Sequence, residues 1–98
     1  MRRRRFIPER RRAELTQMAK KLFEATGKNP YYRGEKVIRN FRELWENLAD
    51  FRGEEAQWVA SWIEYLGDAA TAMKIRENPR EFKELIGRRY DELRAYFR

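Results

Sequence analysis

Apolar residues in this 98-residue chain recur at three- and four-residue spacing through four stretches, and nowhere do they alternate with period two over several residues. That periodicity calls for helices laid side by side, because each apolar stripe needs a neighbour to bury it. Pro8 suits a first helical position, and Leu15, Met18, Ala19, Leu22 and Phe23 repeat behind it before Gly27 offers a C-terminal cap. The first helix is predicted over 8–26. Val37, Ile38, Phe41, Leu44, Trp45 and Leu48 predict a second over 35–50, with Gly53 ending the segment. From Glu54 to Arg76 the positions Trp58, Val59, Trp62, Ile63, Leu66, Ala69, Ala70 and Met73 keep helical register, which predicts one long central helix buried on two sides. Asn78, Pro79 and Glu81 read as a capping-box-like start of a fourth helix, from 79 to near the end, with Phe82, Leu85, Ile86, Tyr90, Leu93 and Phe97 as its stripe. No Asn-Gly or Asp-Gly hairpin signal and no internal repeat appears, so no strand is required. The expected fold is all-α: a small four-helix bundle over 13–98, with residues 1–12 a basic N-terminal arm continuing into the first helix.

Charge is distributed far less evenly than apolarity. The chain has 23 basic and 16 acidic side chains, for a net charge of +7. Seven arginines, Arg2 to Arg5 and Arg10 to Arg12, stand in the first twelve positions against the single acid Glu9, while the other 86 residues hold 16 basic and 15 acidic groups. A block of like charge cannot fold on itself and gains most by displacing counterions from a polyanion. All seven are arginine, whose planar fork pairs bidentately with phosphate and stacks on bases. On a helical wheel Arg11 and Arg12 share the stripe of Leu15 and Met18, so the first turns cannot lie in the chain's own core; they project past the bundle or lie against a partner that tolerates guanidinium. Residues 53 to 73 contain no lysine or arginine, and Glu54, Glu55, Glu64 and Asp68 make that stretch unsuited to phosphate.

Several function classes fall away on composition. Histidine and cysteine are absent, which removes the usual zinc ligands, thiol nucleophiles and disulfides, so neither a metal nor a cofactor is expected. No pair of carboxylates stands on an apolar face, and no Gly-rich phosphate loop or nucleophile motif appears; the chain is not expected to be an enzyme. The opening arginines resemble a twin-arginine signal only superficially, because Pro8 and further charge follow where an apolar stretch belongs. No run approaches the roughly 18 apolar residues of a membrane span. The expected location is a virion interior or a nucleoid-containing cytoplasm, without secretion. A dense ionic surface, at 40% charged residues, is of the kind favoured at high temperature and fits a thermophilic source.

The candidate nucleic-acid-binding residues are Arg2, Arg3, Arg4, Arg5, Arg10, Arg11, Arg12, Lys20, Lys21, Lys28, Tyr31, Tyr32 and Arg33. Tyr31 and Tyr32, followed by Arg33 in the linker from Gly27 to Gly34, are placed either to stack on unpaired bases or to lid the core edge with their hydroxyls wet. Trp45, Trp58 and Trp62 lie on helical stripes and are expected in the core. A helix-turn-helix reader is disfavoured, since the short turn around Asp50 to Gly53 would make the acidic third helix the recognition helix.

With Arg2 to Arg5, Pro8, Arg10 to Arg12, Lys20 and Lys21 ahead of the helices from 35 onward, the chain resembles in outline the nucleocapsid proteins of filamentous and related archaeal viruses. Those proteins pair a basic, helix-forming N-terminal segment with a small helical bundle around DNA. The resemblance is one of architecture and charge placement over most of the chain, and it implies a homo-oligomeric coat, or an assembly with a related subunit, that packages DNA by its backbone. Two other outlines compete: a small helical subunit of an RNA-guided ribonucleoprotein complex, and a helical adaptor whose third helix mates with another protein. The adaptor requires a large exposed apolar patch on residues 58 to 73.

Overall fold

A computed structural model describes residues 8–97, so Arg2 to Arg5 of the arm lie outside the described residues. Five α-helices and one two-stranded hairpin enclose a single core in this span: α1 (Glu9–Glu24), β1 (Tyr31–Arg33), β2 (Lys36–Ile38), α2 (Phe41–Glu46), α3 (Ala56–Leu66), α4 (Ala69–Glu77) and α5 (Phe82–Arg94). The protein is mostly helical as the periodicity requires, but five helices replace the four-helix bundle.

In α1 only Leu15, Ala19, Leu22 and Phe23 are buried, and everything from Pro8 to Glu14 is exposed. The first turns therefore stand outside the core. The helix closes at Ala25, not Gly27: Ala25 takes the left-handed conformation (φ 48°) and its N–H returns to the Lys21 carbonyl at 3.0 Å. Phe23 then anchors the interior, with ring centroids 6.0 Å from Phe41, 5.7 Å from Tyr90 and 5.2 Å from Phe97.

The predicted second helix is wrong at its start: Lys36–Ile38 is a strand, and the helix begins only at Phe41. Tyr31 pairs with Ile38, Tyr32 with Val37 and Arg33 with Lys36 across the two-residue turn Gly34-Glu35. Gly34 has φ +63° while Glu35 does not share the positive region, the pattern of a hairpin turn that glycine at its first central position permits. Asn40 then starts α2 by accepting from the Glu43 N–H at 2.9 Å, while Glu43 reaches back to the Arg39 N–H at 2.8 Å.

The long central helix is broken in two. Gly67, at φ +130°, ends α3 with its N–H on the Ile63 and Glu64 carbonyls, and the Asp68 carboxylate caps α4 by accepting from the Thr71 N–H (3.1 Å) and hydroxyl (2.6 Å). A side chain at 67 is strained by that φ and meets the Lys21 stem, whose Cδ lies 3.1 Å from the position of a Cβ. The break reorients α4, so Ala72 and Ile75 enter the core and Met73 points out. Two of the three tryptophans also leave the interior: Trp62 is buried, but Trp58 is 65% exposed and Trp45 is 39% exposed, stacked on Tyr90 at 4.1 Å. At the fourth segment Pro79 to Glu81 form one 3₁₀ turn before α5, and the Asn78 side chain makes no capping bond.

Candidate nucleic-acid interface

Positive charge in excess collects on one element. Residues 8–28 hold six cations (Arg10, Arg11, Arg12, Lys20, Lys21, Lys28) against Glu9, Glu14 and Glu24, whereas residues 29–97 hold twelve basic and thirteen acidic side chains. The rest of the described chain contributes no net attraction to a polyanion.

Among the described residues, ion pairs engage one of the six cations of residues 8–28 and five of the twelve of residues 29–97. Arg33 donates two guanidinium bonds to Glu55, Nε to Oε2 at 2.9 Å and Nη2 to Oε1 at 3.0 Å, donates also to the Asp50 carbonyl, and lies over the Phe51 ring. Arg89 bonds the fully buried Asp68 at 2.8 Å and Glu92 at 2.7 Å, and Arg11 reaches the other oxygen of Glu92 at 3.3 Å. Among the described residues no carboxylate lies within ion-pair distance of Arg10, Arg12, Lys20, Lys21 or Lys28. Lys28 instead sits over the Tyr65 ring, 4.8 Å from its centroid, where the Asn29 N–H donates to the Tyr65 hydroxyl.

Helix α1 presents these cations in three adjoining grooves. Arg10, Arg11 and Lys21 rim one of about 630 Å³ between α1 and the α3–α4 turn. Lys20, Lys21 and Lys28 surround a second of about 400 Å³ with Gln17 and Thr26. Arg12, Thr16 and Lys20 face the C-terminal residues Ala95 to Phe97 across a third, of about 620 Å³. The common thread is that α1 offers exposed cations along grooves on both flanks without burying a charge.

Three predicted site residues stand elsewhere. Arg33 belongs to the Glu55 pair, and Tyr31 is packed at the core edge, with its ring 5.9 Å from Phe51 and 5.8 Å from Trp62. Burial first, then the nearby Glu55 charge, raises the Tyr31 hydroxyl pKa, while Arg33 works the other way. Tyr32 is 68% exposed on the hairpin and lines none of the α1 grooves. Conversely, Gln17, Thr16 and Thr26 line the grooves although charge reasoning passed over them. So do Gly67 to Ala70, which become visible only through the stop signal Gly67-Asp68.

The Glu55 pair gives the hairpin a pH dependence. The Arg33 hydrogen bonds hold the Glu55 carboxyl below its ordinary 4.5, burial opposing and the Arg52 N–H bond assisting. Its contribution is therefore complete above the unfolded pKa and is lost as pH falls through the lower folded value. Thermal melts from pH 6 to pH 2.5 should show wild type losing stability below about 4.5, with the gap to Glu55→Gln closing as pH falls. A gap that stays constant with pH contradicts the assignment.

Among the described residues no cluster of three or more metal-ligating side chains occurs, and no helix is long and apolar enough to cross a membrane. No protein-family model, curated protein or solved structure matches the chain.

Proposed function

We propose that this protein is a structural nucleic-acid-binding protein that grips the phosphate backbone without reading sequence, through α1, its following turn and the arginine-rich residues before it, and that many copies coat the polymer as a nucleocapsid does. The observation that carries this reading is the set of five exposed cations on α1 and its turn with no ion pair among the described residues, while residues 29–97 hold twelve basic and thirteen acidic side chains. Exposed phosphate contacts need no buried machinery, and arginine and lysine on a helix surface suffice. Binding by about six such contacts should weaken by roughly three decades between 50 and 200 mM salt. The test compares the full chain with a chain lacking residues 2–12 on nucleic acid across a salt series, with sedimentation alongside. Steep salt dependence that flattens on truncation supports the reading, long cooperative assemblies support the coat, and a flat profile for the full chain overturns both.

One observation favours protein docking as a second activity or as the coat's own lateral contact. Trp58 and Tyr65 stand seven residues apart on one face of α3, both exposed, and Met73 of α4 is exposed as well. Such a face suits a neighbouring bundle or an adaptor's partner. Trp58→Ala should change stability by no more than about 0.5 kcal/mol, since so much of the ring is already in water, yet weaken higher-order assembly in sedimentation. Unchanged assembly removes this face from the account.

A further inference from the structure

We propose that the groove between α1 and the α3–α4 turn receives an unpaired base, so that the protein holds single-stranded nucleic acid in preference to duplex. This inference rests on the backbone-binding reading and adds to it the form of the polymer. Arg10 and Lys21 stand at the two ends of the groove, eleven residues apart and so about 16 Å along α1, neither paired among the described residues. A strand laid along α1 thus meets a cation at each end. Between them the groove is not built for phosphate. Met18 and the small side chains Ala69 and Ala70 line it and offer apolar contact to a base and nothing to an anion, and the Glu14 carboxylate beside them repels one. Gln17 lines the same groove and offers an amide donor and acceptor to a base edge. The nearby guanidinium of Arg11, tied to Glu92, supplies a planar cation on which bases stack.

The volume, about 630 Å³, is that of a small-molecule site and larger than a phosphate needs. A duplex keeps its bases stacked inside and must unpair one to fill such a groove, at a cost of a few kcal/mol that an unpaired strand does not meet. The charged ends attract either form; only the single strand uses the middle.

The probes are three fluorescent DNAs of equal length: a single strand, the same strand with every base removed, and a duplex, titrated with the full chain at fixed salt. The intact strand should bind about tenfold more tightly than the abasic strand, in the range that one well-seated base supplies. Ala70→Phe, at an exposed position of α4, fills the groove and should erase that difference. Gln17→Leu, exposed on α1 and adding little volume, should reduce the difference severalfold and serves if Ala70→Phe melts early. Equal binding of intact and abasic strands with a steep salt slope overturns the groove but leaves backbone binding standing. A uniform loss on all three probes with Ala70→Phe also overturns it, because the groove then seats something other than a base. No binding to any probe removes the backbone reading and this inference together.

Discussion

Asp68→Ala is expected to cost about 3–5 kcal/mol, a large share of the total stability of a domain this size. The carboxylate is fully buried and has three protein donors: the Thr71 N–H, the Thr71 hydroxyl and the Arg89 Nε. Its loss uncaps α4, leaves the Thr71 hydroxyl unpaired, and strands a guanidinium whose side chain is only 15% exposed. Arg89 keeps Glu92, so the charge is not wholly abandoned, but burial opposes it and Asp68 is the partner that most raises its pKa above the usual guanidinium value. Asp68→Asn should fall between, since an amide oxygen can still cap the helix but carries no charge. Adding Arg89→Met to Asp68→Ala should recover much of the loss, because the double variant no longer buries an uncompensated cation. Denaturant melts decide the matter. A cost below about 1 kcal/mol for Asp68→Ala would mean that the α3–α4 turn is held by something other than this network.

The second large effect concerns binding. Replacing Arg10, Arg12, Lys20, Lys21 and Lys28 by glutamine should flatten the salt dependence of affinity by up to about 4.5 units of log K per log salt on duplex and about 3.5 on single strands, if each neutralises one phosphate. Affinity in low salt should fall by orders of magnitude. Stability should hardly change, since all five side chains are exposed. The control removes the same charge elsewhere: Lys36, Arg42, Lys74, Arg80 and Arg88 are exposed and also lack ion pairs among the described residues. Nonspecific attraction to net charge alone predicts equal losses for the two sets. A defined interface on α1 predicts that the control keeps most of its salt slope.

The parts of the fold that sequence made legible are those in which one period runs uninterrupted. Helices α1 and α5 each bury the stripe their spacing marks. The hairpin was hidden because Val37, Ile38 and Phe41 have helical spacing although the first two belong to a strand and the third to the next helix. Three residues per strand are too few for alternation to register, and only Gly34 carried the turn signal. The break at Gly67-Asp68 was overrun for a similar reason: apolar residues continue in register across it, and the stop glycine followed by a capping aspartate is a two-residue clue against a twenty-residue pattern. Helical position alone cannot say which stripes find a partner, which is why the spacing of Trp58 points to the core although its ring stands in solvent. For the candidate site, the cations of α1 were legible because sequence neighbours on a helix share its surface. The pairing of Arg33 is not legible, because its partner Glu55 is 22 positions away and meets it only once the hairpin lies against the start of α3.

The most direct measurement is amide chemical-shift mapping of the full chain titrated with a short oligonucleotide in low salt. The account predicts perturbations concentrated on residues 10–28 and on Gly67 to Ala70, reversed by added salt, with Gln57 to Tyr65 of α3 little affected. Shifts centred on Trp58, Tyr65 and Met73 while α1 stays unmoved would contradict it.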